Sequence, residues 1–97
     1  MALKIEWSDE AENTYLDILS YLENNWSRKE VLKFIKRTET LLETILIQPY
    51  LFKASQNQPI RKAVIGKQNS LFYRIDNDRI YLLTFWDNRQ NTAKSKY

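Results

Sequence analysis

Histidine and cysteine are both absent from these 97 residues, and glycine occurs once, at Gly66. Without His or Cys, the usual zinc sites, thiol nucleophiles and Ser–His pairs are excluded. One glycine cannot build a phosphate-cradling loop. No apolar run approaches the length of a membrane span, and Met1–Trp7 lacks the basic start and apolar stretch of a secretory signal. A chain without cysteine fits a reducing compartment, so a cytoplasmic location with no membrane partner is expected. The acidic pairs Asp9/Glu10 and Asp76/Asp78 match helix-start and turn roles rather than a metal or acid/base pair. No metal and no cofactor is therefore expected, and any catalysis would rest on Arg, Lys, Tyr or a carboxylate.

What is present is the composition of a soluble globular protein, 43% hydrophobic and 28% charged, with a length that fits one domain over residues 1–97. The formal charge of +3 is unevenly spread. Residues 1–59 hold 7 Lys and Arg against 9 Asp and Glu, a balance of −2, whereas residues 60–97 hold 8 against 3, a balance of +5. A basic C-terminal half suits an anionic partner, either nucleic acid or an acidic protein segment; on charge alone a lysine-rich solvated surface is the better reading.

The hydrophobic pattern divides the chain. Leu3–Trp7 alternates apolar and charged residues, as a half-buried strand does. Ser8 offers an N-cap to a helix over about 9–24, with apolar positions recurring at Ala11, Tyr15, Ile18, Leu19, Leu22 and Trp26. Ser27-Arg28-Lys29-Glu30 is a capping box opening a second helix, with Trp26 and Val31 placed for a hydrophobic staple and Pro49 as its stop. So short a connection predicts an antiparallel helical hairpin. Residues 50–59 read as a loop, and three strand-like runs follow at 60–65, 70–75 and 79–86. Their short turns, at 66–69 and 76–78, predict an antiparallel meander. Period two places Leu71, Tyr73 and Ile75 on one face and Phe72 and Arg74 on the other. In the last strand it sets Tyr81, Leu83 and Phe85 against Ile80, Leu82, Thr84 and Trp86.

The expected fold is therefore α+β with the order β-α-α-β-β-β, a helical hairpin covering one face of a mainly antiparallel sheet. The reverse face should stay open. Arg61, Lys62, Lys67, Arg74 and Arg89 fall in or beside the three strands, interleaved with Tyr73, Tyr81, Phe85 and Trp86. Basic groups among aromatics suit single-stranded RNA. The same pattern also describes core rings with charges facing water, which is the better reading of Tyr81, Leu83 and Phe85. For Arg74, Trp86 and Arg89 both readings stand.

Three stretches carry a family likeness: "WSDEAENTYLDILSYLENNWS", "FYRIDNDRIYLLTFWDNRQN", and the "QP" that ends the second helix before a basic strand. In these, and in the order of its elements, the chain resembles the RelE/ParE toxin superfamily of type II toxin–antitoxin systems. The resemblance implies a growth-inhibiting toxin neutralised by a cognate antitoxin, with which it would form a hetero-oligomer. ParE-like members inhibit DNA gyrase; RelE-like members are ribosome-dependent mRNA endonucleases that need no metal.

Carried onto this chain, Arg89 matches an arginine of the nucleases, and Arg61 and Lys62 match their catalytic lysines. These three are the catalytic candidates if the chain is an enzyme. The nuclease arginine at the start of the middle strand has no match, since Asn69 or Ser70 stands there. Ser95 stands near the place of a tyrosine, and Tyr97 is the last residue. With helices of about 16 and 22 residues as well, the ParE-like branch fits better. It makes Arg61, Lys62, Arg74, Trp86 and Arg89 partner-binding residues. An mRNA nuclease is the alternative, and a toxin fold without toxicity is the third reading.

Overall fold

The computed structural model describes residues 3–55 and 58–89. Its elements are β1 (Lys4–Trp7), α1 (Asp9–Asn25), α2 (Arg28–Ile47), β2 (Arg61–Val64), β3 (Asn69–Asp76) and β4 (Arg79–Asp87). Both helix starts use the serines their sequences offer. The Ser8 hydroxyl accepts from the Ala11 N–H at 2.9 Å, and the Ser27 hydroxyl accepts from the Glu30 N–H at 3.3 Å. Each satisfies a donor that the first helical turn leaves orphaned. Trp26, expected in a staple, is instead 64% exposed.

The four strands lie in the order β1-β4-β3-β2, with β2–β3 and β3–β4 antiparallel and β1 parallel to β4. Asn77, at φ 47°, takes the left-handed conformation that the tight β3–β4 turn requires. Gly66 has no positive φ. Its role is space: a Cβ there would meet an Arg37 guanidinium nitrogen at 3.2 Å.

The helices cover one face of the sheet. Ala11, Phe34, Leu41 and Ile45 pack on Ala63, Leu71, Tyr73, Ile80, Leu82 and Phe85. Each fully buried aliphatic side chain here contributes about 2 kcal/mol of transfer free energy. Trp7, Tyr15, Phe34 and Phe85 join in ring contacts with centroids 5.0 to 5.7 Å apart.

Two expectations change at β4. Its alternation breaks at an irregularity between Phe72 and Tyr73, where Phe72 pairs with Thr84 but Tyr73 pairs with Leu82. One extra residue in β4 turns every later side chain over. Phe85 therefore lies under the helices, while Tyr81 and Leu83 lie on the reverse face with Trp86.

That reverse face is not bare either. Ile60, Phe72 and Leu83 are buried there, with Tyr81 and Trp86 half-buried against them. The sheet has a small second core because β3 and β4 carry more apolar residues than one face can take. Among the described residues, no helix is long and apolar enough to cross a membrane.

Candidate functional site

The outer face takes Lys62, Arg74 and Trp86 from the expected set. Lys62 stands opposite Phe72, with its ammonium 5.9 Å from the ring centroid. Arg74 stands opposite Tyr81, and its guanidinium lies 5.2 Å from that ring. Arg79 approaches the same ring at 4.3 Å. Cations at such distances are attracted by the negative ring face.

Asp76 accepts from Arg74 Nε at 2.9 Å and from Arg79 Nη2 at 3.4 Å, and Glu6 accepts from Arg79 Nη1 at 2.7 Å. The Glu6 bond is the main cause that holds the Arg79 pKa above its ordinary value. Arg79 was not among the residues singled out from sequence. Its signal was the two-residue step to Tyr81, which puts both on one face.

Arg61 lies on the other side of the sheet. Period two in β2 sends Ala63 and Ile65 toward the helices, and Arg61 goes with them, opposite Tyr73. Its Nη1 donates to the Phe52 carbonyl at 2.6 Å, and its guanidinium lies 5.0 Å from the Tyr50 ring. Arg61 thus ties the loop after α2 to the sheet. The Tyr73 hydroxyl beside it donates to the Pro49 carbonyl at 2.9 Å. Burial raises the Tyr73 pKa above 10.0, and the Arg61 charge partly opposes the rise.

Arg89 sits at the end of β4, on the α1 side. Its Nε and Nη2 grip the Asp87 carboxylate at 3.0 and 2.7 Å, and its backbone N–H adds a bond of 2.9 Å. The guanidinium lies 5.5 Å from the Tyr21 ring. These bonds hold the Asp87 carboxyl below its ordinary range and raise the pKa of Arg89, the Asp87 hydrogen bond being the larger cause in both. The fork of Arg89 is already filled by an anion.

The expectation of one shared cationic face is therefore corrected. Lys62, Arg74 and Trp86 share the outer face, Arg61 serves the inner loop, and Arg89 lies beside α1. Arg61 and Lys62, adjacent in β2, thus take opposite faces of the sheet, and Arg89 follows the end of β4. Ser95 and Tyr97 lie outside the described residues. Among the described residues, no three acidic, His or Cys side chains cluster as a metal would require.

Two grooves open between the helices and the far ends of β3 and β4. The larger, about 540 Å³, has Leu22, Trp26 and Phe34 on one side and Ile65–Asn69 on the other, with Lys33 and Arg37 on its rim. The smaller, about 270 Å³, continues past Ile18 and Tyr21 to Asp87 and Arg89. Sequence reasoning does not single out Lys33 and Arg37. Only the fold shows that the β2–β3 turn comes up beside them.

Comparison with known proteins puts these features in a family. A sequence model described as "ParE toxin of type II toxin-antitoxin system, parDE" matches residues 5–92. Solved structures with the same fold include the chromosomal ParDE toxin–antitoxin system of P. aeruginosa, at TM-score 0.74 and 12% identity, covering 89% of this chain and 96% of that one. The YoeB dimer from Staphylococcus aureus matches at TM-score 0.64 and 20% identity, covering 93% and 100%. The toxin–antitoxin complex RelBE2 from Mycobacterium tuberculosis matches at TM-score 0.59 and 12% identity, covering 91% and 100%. At such identities the likeness is one of fold. Comparison with curated protein sequences gives no significant match.

Proposed function

The chain belongs to the ParE toxin family of type II toxin–antitoxin systems, and from that premise we propose that it arrests growth by binding DNA gyrase. In this reading it is a protein-binding inhibitor and not a nuclease. A cognate antitoxin neutralises it by forming a hetero-oligomer. The observation that supports the choice is the separation of Arg61, Lys62 and Arg89, with the guanidinium groups of Arg61 and Arg89 already bonded within the chain. Arginines held by neighbours and stacked on rings suit a protein surface, where Arg, Tyr and Trp are the usual anchors. Lys62, Arg74 and Trp86 would meet the partner from the outer face, and Arg61 and Arg89 from its margins.

The RelE-like alternative keeps the fold likeness to YoeB and RelBE2 in its favour. One comparison separates the two. Purified protein enters a gyrase supercoiling assay and, in parallel, a translating extract read by primer extension. Loss of supercoiling with intact mRNA is the expected result. Codon-phased cuts with normal supercoiling would overturn it, and silence in both assays with normal growth would leave a fold without toxicity. Arg89→Ala is expected to weaken growth arrest or antitoxin affinity. Unchanged arrest together with unchanged affinity would reduce Arg89 to a solvated side chain.

A further inference from the structure

The helical hairpin has an outer side, turned away from the sheet, and it is not uniformly polar. Helical spacing runs Leu32, Ile35, Leu42 and Leu46 along one stripe of α2, and Leu16 and Leu19 form the matching stripe on α1. Leu19, Ile35 and Leu42 are half-buried, whereas Leu16 and Leu32 stay 58% and 55% exposed.

Charge on the hairpin is sorted by end. Only Trp26 and Ser27 separate the helices, and the Tyr15 ring meets the Phe34 ring at 5.7 Å, so the start of α1 lies beside the end of α2. Residues 9–16 and 38–47, which form that end, hold five carboxylates and no Lys or Arg, a balance of −5. Residues 23–37, around the connection, hold five cations against Glu23 and Glu30, a balance of +3. Asp17 stands between the two ends. None of the five cations is ion-paired among the described residues.

From this we infer that the outer side of the hairpin is a docking surface for a second copy of this chain, with the two hairpins antiparallel about a two-fold axis. A two-fold contact sets one patch against itself in reverse. The acidic end of each copy then meets the basic end of the other, twice over, and the leucines meet in the middle. The face measures about 30 Å along the 20 residues of α2 and about 20 Å across two helices. That is on the order of 600 Å² per copy, the low end for a specific interface, so a weak dimer is expected.

Other occupants fit less well. A nucleic-acid strand carries a phosphate at every nucleotide and would be repelled by the acidic end. A foreign protein would need the same sorted charge in reverse, which a second copy supplies by construction. The contact leaves Lys62, Arg74 and Trp86 free, because the sheet lies between them and the hairpin. It is independent of which target the toxin meets.

Sedimentation equilibrium of the purified chain tests it. A monomer–dimer equilibrium with Kd on the order of 10–100 μM, weakening as salt rises, is expected. Glu39→Lys with Glu43→Lys, and separately Arg28→Glu with Lys29→Glu, should each weaken it roughly tenfold or more. Neither pair opposes the helix dipole, so both proteins should fold, and circular dichroism melts check this. Mixing the two variants should restore dimerisation, since every end then faces opposite charge. Leu16→Ser with Leu32→Ser reads the same surface if a charge variant does not fold.

Lys53→Glu with Lys67→Glu makes an equal change of charge at exposed positions outside the hairpin and should act less than about twofold. A chain still monomeric roughly tenfold above the expected Kd range, a mixture that dimerises no better than either variant alone, or equal weakening by the Lys53 and Lys67 pair would each overturn the inference.

Discussion

Tyr73 joins three distant parts of the chain through one side chain. It sits fully buried in β3, donates to the Pro49 carbonyl after α2, and faces Arg61 across the β2 pairing. Tyr73→Phe removes the donor and leaves that carbonyl short of a partner, which should cost about 1 kcal/mol in chemical denaturation at neutral pH. Burial also raises the pKa of Tyr73 and of Tyr15 above 10.0. A group whose folded pKa is raised keeps its stabilising effect below the unfolded value and loses it as pH climbs through the folded one. Stability is therefore expected to fall on going from neutral to about pH 11. The fall should be smaller in a Tyr15→Phe/Tyr73→Phe double, and an equal fall in both proteins would show that other groups are responsible. Asp87, held low by Arg89, works in the opposite sense: its contribution is present above 3.8 and lost as pH drops further. Alternation grouped Tyr73 with Leu71 and Ile75 on one face, but did not say that this face is the one under the helices. The acceptor of Tyr73, 24 residues upstream, was not legible, because local pattern says nothing about which loop folds back over a strand.

The β4 irregularity is where one element depends on another. Once β1 ends at Trp7, the edge of β4 beyond Leu82 has no strand beside it. Two hydroxyls of the α1 region take over. Ser8 Oγ donates to the Leu83 carbonyl at 2.9 Å while capping the helix, and Thr14 Oγ1 accepts from the Phe85 N–H at 3.0 Å. Ser8→Ala removes a cap and strands a carbonyl, so a loss of about 1–2 kcal/mol is expected. Thr14→Val keeps the shape but leaves the Phe85 N–H without its acceptor, and should cost about 1–3 kcal/mol. Thr14→Ser should restore most of that difference. Denaturant titrations of the three variants decide it; a Thr14→Val protein as stable as the parent would mean that the N–H finds another acceptor. The order and extent of the elements were readable from period and caps, since those signals are local. The extra residue in β4 was not. Tyr81–Trp86 holds five apolar residues with Thr84 among them, and in so apolar a run a strict alternation and a shifted one look alike.

On the scale of the whole molecule, the sheet is buried on both sides, and stability measurements can verify this. Leu83→Ala, on the face away from the helices, should cost about 2–4 kcal/mol, as in a true core. Val64→Ala, at a site 60% exposed, should cost well under 1 kcal/mol. Similar small losses at both sites would mean that the outer cluster contributes little. The distribution of charge follows the same logic. The surplus of cations after residue 60 was plain from counting. Which cations stay unpaired was not, because Asp76, Asp87 and Glu6 are brought to their arginines by strand pairing and turn geometry. Topology carries one more consequence. Lys4–Trp7 pairs in parallel with Arg79–Leu82, and the serine after it with Leu82 and Leu83. During synthesis β1 therefore waits, without its strand partner, until β4 has been translated. A message truncated or cut upstream of codon 79 yields a polypeptide whose first segment has no docking edge. Closure of the sheet is thereby deferred until β4 has left the ribosome.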